Sequence, residues 1–179
     1  MLTITIPATE LWNERTSQFV KTKEQILQLE HSLVSLSKWE SKWCKPFMSN
    51  TEKTSEEVID YIRCMTITQN VDFDIYYCLT NENMKEVNSY IDAPMTATTF
   101  SDQKKTINRQ IITAEIIYYW MILFNIPFEC QKWHLNRLLT LINVCNIKNQ
   151  PKGKIGRKEL LSRNAALNEA RKAQLNTTG

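Results

Sequence analysis

The residues of this chain that could do chemistry are two histidines and five cysteines, and one pair has a suggestive spacing. Cys130 and His134 stand four residues apart, which places them on the same face of a helix. A thiol and an imidazole so arranged could form a nucleophile with its base, or half of a zinc site. The remaining candidate zinc ligands contain no Cys-x-x-Cys pair: Cys44, Cys64, Cys78, Cys145 and His31. We therefore predict no metal site, and expect a packed cysteine beside a histidine bonded to the backbone.

The sequence lacks the glycine motifs of nucleotide-binding and hydrolytic sites. Its three glycines are Gly153, Gly156 and Gly179. Phosphate-binding loops and nucleophile elbows need glycine where the backbone turns sharply or approaches a phosphate. Three carboxylates could in principle do acid–base chemistry: Glu56, Glu57 and Asp60. We expect them to lie on a polar helix face in contact with solvent, without a catalytic role. The sequence therefore predicts a protein that is not an enzyme and has no cofactor.

Three tryptophans, Trp39, Trp43 and Trp133, could form a platform that contacts a partner or ligand. Aromatic residues at helical spacing are more often core residues. Three lysines alternate with the first two tryptophans, as in proteins that bind single-stranded nucleic acid: Lys38, Lys42 and Lys45. The nearby Glu40 and the acidic character of the surrounding chain weaken the nucleic-acid interpretation.

The net charge of +3 is unevenly distributed. Residues 148–179 carry eight Lys and Arg against two Glu, which leaves 14 basic and 17 acidic side chains in the rest of the chain. Four residues of this tail are candidate contacts for nucleic acid, which clustered cations bind by releasing counterions from phosphates: Lys152, Lys154, Arg157 and Lys158. The same charges would suit an acidic protein surface, or would only increase solubility.

The elements that position these residues follow from hydrophobic periodicity, which predicts a mainly α fold with a small N-terminal antiparallel β unit. Leu2–Ile6 alternates between apolar and polar residues and ends at Pro7, as a half-buried strand does. Residues 19–21 and 25–29 could pair with it in one sheet. Apolar residues at a spacing of three and four then predict a helical bundle.

The helix boundaries are predicted from capping residues and prolines. Ser32 is expected to cap a helix that ends near Trp43, and residues 54–57 form a capping box. Asp72 and Thr80 or Asn81 are expected to start two short helices. Residues 106–125 are predicted to form the longest and most central helix, because they are apolar on nearly all sides from Ile111 onward. Pro127 suits the first position of a last core helix that ends near Asn146.

Composition divides the chain into a compact helical domain, 1–147, and a basic, partly helical tail, 148–179. The odd number of widely spaced cysteines indicates free thiols in a reducing compartment. The N-terminus does not have the pattern of a signal peptide. The longest apolar run, 116–124, is too short to cross a bilayer. We therefore expect an intracellular protein that is not in a membrane.

Four segments resemble a family of small proteins from the structural gene clusters of tailed bacteriophages and prophages. They are 29–43 (LEHSLVSLSKWESKW), 92–100 (DAPMTATTF), 128–139 (FECQKWHLNRLL) and 162–168 (SRNAALN). These proteins are similar to tail assembly chaperones, which bind the tape-measure protein while tail tube subunits polymerise around it. The resemblance implies a protein of the host cytoplasm that binds its partner without catalysis.

The same resemblance implies that an apolar groove or a homo-oligomer covers amphipathic helices of the tape-measure protein. Exposed aromatic side chains would then make the contacts, and the first candidates are Trp39, Trp43 and Trp133. Two alternatives remain open. One is a structural protein of the virion, at tail completion or head–tail connection, and the other is a nucleic-acid-binding protein that acts through its basic tail.

Overall fold

A computed structural model of the protein describes residues 1–13, 18–49, 51–100, 111–149 and 157–175. The chain divides into two units, Met1–Asn146 and Ile147–Gly179, and this division lies one residue before the predicted start of the tail. The predicted fold class is confirmed, because the described residues are mainly helical and the β structure is confined to the N-terminal part.

Four short strands form two separate antiparallel pairs. Strand β1 (Leu2–Ile6) pairs with β4 (Gln25–Leu29), and β2 (Thr9–Asn13) pairs with β3 (Gln18–Thr22). The prediction that 19–21 joins the sheet of β1 is therefore wrong, because its partner is the neighbouring strand β2, which sequence analysis did not identify. Pairing with the nearest strand closes the shorter loop and loses less chain entropy.

The first three α-helices begin where their capping residues predict. The side chains of Ser32, Thr54 and Thr80 each accept a hydrogen bond from the backbone N–H of the third helical residue, and each capping residue donates its own backbone N–H to that residue's side chain, so all three form capping boxes. The helices are α1 (Leu33–Trp43), α2 (Ser55–Met65) and α3 (Asn81–Asp92). Between α2 and α3, Asp72 caps a short helical segment as predicted. This segment, Phe73–Cys78, is a 3₁₀ helix.

The C-terminal half of the first unit differs from its prediction in two places. Helix α4 spans only Ala114–Leu123, and 111–113 is not helical, while 106–110 lies outside the described residues. Pro127 precedes a 3₁₀ segment, Phe128–Lys132, so the last helix of this unit does not start there. That helix, α5 (Leu135–Asn149), begins where the amide of Leu135 donates to the carbonyl of His31, so a contact with a distant segment determines its start.

Helix α1 is the central element of the first unit, in place of the predicted 106–125. Its Trp39 belongs to one apolar cluster, formed with β1, β4, α2 and α3. Its Leu33 and Leu36 belong to a second cluster, formed with α4 and α5. A single helix therefore supports both halves of the core, and α4 packs against it.

The second unit contains helix α6 (Arg157–Leu175). Arg157 and Lys158 lie in its first turn, whereas Lys152 and Lys154 lie outside the described residues. Within the described ranges of both units, no helix combines the length and the apolar character that crossing a membrane requires.

Candidate partner-binding surface

Helix α4 exposes an apolar face. Tyr119, Ile122 and Leu123 are 59%, 62% and 55% exposed, respectively. The buried side chains of the same helix lie on its opposite face: Ala114, Ile117 and Met121. Residues at positions i, i+3 and i+4 share one side of a helix, so the three exposed side chains form a continuous stripe. The apolar character that predicted a central helix therefore belongs in part to a surface.

The segment after α4 adds an exposed aromatic side chain beside this helix. Phe128 is 53% exposed, and its ring lies 6.5 Å from that of Tyr118. The hydroxyl of Tyr118 donates to Oε1 of Gln131 at 2.9 Å, which holds α4 against the 3₁₀ segment. We call Tyr119, Ile122, Leu123 and Phe128 the α4 surface. Its one neighbouring charge within the helix is Glu115, one turn before Tyr119.

A buried carboxylate fixes the position of α4. Thr113 caps the helix without a side-chain hydrogen bond. The amide of Ala114 donates instead to Oε2 of Glu40 at 2.7 Å, and the amide of Phe47 donates to Oε1 of the same carboxylate at 2.8 Å. A carboxylate at the N-terminus of a helix is also favoured by the helix dipole. Glu40 in α1 therefore anchors the helix that carries the exposed surface.

Replacement of Glu40 by glutamine should lower the free energy of unfolding by about 1–3 kcal/mol. The glutamine keeps the shape of the side chain, but its amide group would face one of the two backbone N–H groups. Urea unfolding measures the loss, and hydrogen exchange should show faster exchange at the amide of Ala114. Glu115→Gln is the matched control, since Glu115 is exposed in the first turn of α4, the helix that Glu40 anchors. Equal stability of the two variants would contradict an anchoring role.

The three candidate tryptophans do not form one platform. Trp39 is 1% exposed, and its indole Nε1 donates to the carbonyl of Glu57 at 2.8 Å. It is a core residue and cannot contact a partner while the protein is folded. Trp43 is half-buried and donates to Oδ2 of Asp60 at 2.8 Å, while Trp133 is half-buried beneath the guanidinium of Arg137. For these two, partner contact stays a prediction.

Two carboxylates of α2 are buried, so their predicted solvated positions are wrong. Glu57 bonds to Lys45, and Asp60 bonds to Lys42 and Arg63. The hydrogen bond from Lys45 is the main cause that lowers the pKa of Glu57. Burial acts to raise the pKa of Asp60, but its hydrogen bonds outweigh burial and the net pKa is lowered. Two of the lysines that alternate with Trp39 and Trp43, Lys42 and Lys45, are thus exposed side chains that form ion pairs with buried carboxylates of the same chain.

The two histidines meet in the interior, where their protonation is disfavoured. Their ring centroids are 5.1 Å apart. Nε2 of His134 lies 2.9 Å from the carbonyl of Tyr90 and must donate to it, while Nδ1 accepts from the amide of Asn136 at 3.3 Å. Nδ1 of His31 lies 2.6 Å from the hydroxyl of Tyr61. Burial, and then the neighbouring His134, lower the pKa of His31 to about 4. Burial is likewise the main cause that lowers the pKa of His134.

These contacts indicate that the two histidines stabilise the fold. Both ring nitrogens of His134 are occupied by backbone groups, as predicted for a histidine bonded to the backbone. Cys130 is buried in the preceding 3₁₀ segment. Among the residues that the structure describes, no three His, Cys, Asp or Glu side chains converge as a metal site would require.

An open cavity of about 330 Å³ lies between α2, the 3₁₀ segment Phe73–Cys78 and α3. Its walls are mainly apolar and aromatic: Lys53, Ser55, Val58, Ile59, Tyr76, Tyr77, Leu79 and Met84. The amino group of Lys53 lies 4.7 Å from the ring centre of Phe47. One cation and a few hydroxyl groups do not define a ligand class, so the α4 surface is the stronger candidate for function.

Comparison with known proteins does not add a relative. No family model, no curated protein and no solved structure matches this chain.

Proposed function

We propose that this protein is a non-catalytic assembly factor of the tail assembly chaperone type, and that its α4 surface holds apolar helical segments of a tape-measure protein. The resemblance of 29–43, 92–100, 128–139 and 162–168 to that family suggests the class of partner. The observation that carries the proposal is the exposed apolar stripe of α4, a surface of the kind that binds an amphipathic helix.

The energetics of the α4 surface suit reversible holding. Full burial of one large apolar side chain contributes about 1.5–3 kcal/mol, and the four side chains of the surface are already partly buried. Association itself costs several kcal/mol in lost motion and ordering. The small balance corresponds to weak, reversible binding, which lets tail tube subunits displace the holding protein as they polymerise.

The chemistry of the α4 surface would also allow it to bind many similar helical segments of the partner. Between 116 and 128 the chain has no charged residue, and Glu115 and Glu129 flank this stretch, so the centre of the surface makes no demand for a particular charge on its partner. Specificity for one sequence usually depends on placed polar groups or on repulsive ones. An uncharged stripe of aromatic and aliphatic side chains can bind successive amphipathic helices along a long protein.

Ile122→Glu should abolish holding without unfolding the protein, because Ile122 is exposed and the new carboxylate would have to be buried in the complex. The full chain is co-expressed with fragments of the tape-measure protein from the same gene cluster, and the soluble fraction of each fragment is measured. We expect the affinity to fall by about tenfold or more, which corresponds to about 1.4 kcal/mol, and the soluble fraction to fall with it. Ile26→Glu is the control, since Ile26 is 57% exposed on β4. Fragments that stay soluble with Ile122→Glu would exclude this surface.

A second measurement separates a chaperone from a structural protein of the virion. Mass spectrometry of purified particles should detect a component of tail completion or head–tail connection, whereas a chaperone should be absent. The nucleic-acid alternative is tested by binding at rising salt, because contacts from the tail to phosphates weaken steeply with salt concentration. Affinity that depends on residues 148–179 and falls with salt would favour that alternative.

A further inference from the structure

We propose that single-stranded nucleic acid binds to a basic surface on α1, α2 and the 3₁₀ segment between α2 and α3. The basic surface consists of three cations and two aromatic rings: Lys38, Lys42, Arg63, Trp43 and Phe73. The proposal goes beyond the proposed function, since it involves neither the α4 surface nor a tape-measure protein. It also differs from binding through the basic tail, because every residue of the basic surface lies in the first unit.

The exposed side of α1 is cationic. Lys38 and Lys42 are four residues apart, so they lie on the same side of the helix, and both are exposed. The one acidic residue of α1 is Glu40, whose buried carboxylate accepts from the amides of Ala114 and Phe47. Glu40 therefore does not repel an anion at this surface, although its place in the sequence suggests that it would.

A single buried carboxylate holds the basic surface together across two helices. Oδ1 of Asp60 lies 2.7 Å from Nζ of Lys42 and 2.9 Å from Nε of Arg63. Oδ2 of the same carboxylate accepts from the indole of Trp43 at 2.8 Å. The terminal amino groups of Arg63 have no hydrogen-bond partner among the residues that the structure describes. They remain available to a phosphate, which a guanidinium binds through two parallel hydrogen bonds.

The cations outnumber the acids at this place. Burial is the main cause that raises the pKa of the Cys64 thiol, and the charge of Asp60 acts in the same direction. Arg63, Lys38 and Lys42 all act to lower this pKa, so the three cations lie near one point on α2. Three cations against one carboxylate leave an excess of positive charge, whereas the chain outside the basic tail has more acidic than basic side chains.

Aromatic rings lie beside these cations. Nζ of Lys42 is 5.2 Å from the ring centre of Trp43, and Cζ of Arg63 is 5.9 Å from that of Phe73. Phe73 is exposed, and its ring meets that of the exposed Tyr77 edge-on at 5.4 Å. Proteins that bind single strands combine cations, which follow the phosphates, with rings on which the bases stack. The basic surface offers both groups side by side, and a duplex, whose bases are already stacked, could not use the rings.

Two acidic residues limit the basic surface at one end. Asp72 and Asp74 stand on either side of Phe73, and like charges would repel phosphates there. We therefore expect the phosphates to follow the α1 side, where Lys38 and Lys42 lie, and a base to stack on Phe73.

Fluorescence anisotropy of a labelled oligothymidylate of about 12 nucleotides tests the proposal with the full chain. The affinity of the wild type should fall between about 50 and 200 mM salt. Lys38→Glu should weaken binding about tenfold and lower the salt dependence by about one phosphate contact, with unchanged helix content by circular dichroism. Lys85→Glu is the matched control and should bind as the wild type does. Lys85 is exposed on α3, and neither lysine forms an ion pair with another described residue.

Phe73→Leu tests the ring, because leucine keeps an apolar side chain but offers no face on which a base can stack. Binding of the oligothymidylate should weaken about fivefold or more, and urea unfolding should confirm that the variant is folded. Unchanged affinity would contradict base stacking and with it the proposal.

Three further results would overturn the proposal. One is a wild-type chain that does not bind the oligothymidylate at about 50 mM salt. Another is a Lys38→Glu protein that binds as tightly as the wild type, and a loss confined to Arg157→Glu with Lys158→Glu would then assign binding to the tail. The third is displacement by oligoglutamate as efficient as displacement by unlabelled oligothymidylate, since the surface would then bind acidic proteins.

Discussion

Trp39→Ala should lower the free energy of unfolding by about 3–5 kcal/mol. The side chain is 1% exposed and lies where α1 meets α2. Its ring contacts Phe47 edge-on at 5.1 Å and Tyr61 at 6.4 Å. Alanine would leave a cavity among these rings and remove the donor to the carbonyl of Glu57, so loss of packing and loss of a buried hydrogen bond act together.

Urea unfolding of Trp39→Ala, Trp39→Phe and Trp133→Ala separates these contributions. Phenylalanine keeps an aromatic ring but cannot donate, so its cost should be smaller than that of alanine. Trp133→Ala is the matched control on a half-buried tryptophan and should cost less than half as much. If Trp39→Ala kept its stability and lost only partner binding, Trp39 would be a contact residue and its buried position would be wrong.

This prediction changes how a binding defect would be interpreted. A loss of binding in Trp39→Ala follows from damage to the core, and does not identify a contact. A loss of binding in Ile122→Glu with unchanged helix content does identify one. The test of the proposed function therefore rests on α4 and not on the tryptophans that first suggested a platform.

The parts of the fold that could be predicted are those determined by a few neighbouring residues. Ser32, Thr54 and Thr80 cap helices through bonds to residues three positions later, and such signals are complete within the local sequence. The alternation in Leu2–Ile6 likewise predicts one buried face, which the structure places against the core with Ile4 and Ile6.

The parts that could not be predicted depend on partners distant in the chain. Glu40 looks like a solvated charge, but it accepts from Ala114, which is 74 residues away. Glu57 and Asp60 are buried because two lysines form ion pairs with them: Lys42 in α1, and Lys45 just after it. No local pattern signals these contacts. The pairing of β2 with β3 was missed because Thr9–Asn13 has little apolar alternation.

The candidate surface was missed for a different physical reason. Periodicity reports that α4 is apolar on nearly all sides, but it cannot say whether each side faces the core or another molecule. A helix that is apolar all round is normally central. Here α1 occupies the central position, and α4 buries only the side that carries Ile117 and Met121. The excess of apolar residues over available core is the signal that could have indicated an interface.

Acidification should destabilise the protein through the buried histidines, by about 2 kcal/mol between pH 7.5 and 5 and about 3 kcal/mol by pH 4. The pKa of His31 falls from 6.5 to about 4 in the folded protein. Between these values the unfolded chain binds more protons than the folded one, so stability falls as pH falls. The lowered pKa of His134 acts in the same direction.

The structural reason is that a proton on Nδ1 of His31 would replace the acceptor that Tyr61 needs. Burial raises the pKa of Tyr61, so the phenol is the donor at neutral pH and would then face a second donor. The other charged group near the histidine pair is Glu30, which accepts from Tyr90 at 2.7 Å and also pairs with the amino group of Met1. The charge of Glu30 acts to raise the pKa of His134, against the larger effect of burial.

His31→Gln tests this account because glutamine can accept from Tyr61 but cannot take up a proton. Urea midpoints are measured from pH 7.5 to 5, above the range in which the lowered pKa values of Glu57 and Asp60 would add their own losses. The variant should be somewhat less stable at pH 7.5, with a clearly smaller dependence on pH. If the wild type and His31→Gln lost stability in parallel, the pH response would originate elsewhere, and His134→Gln would be the next variant to measure.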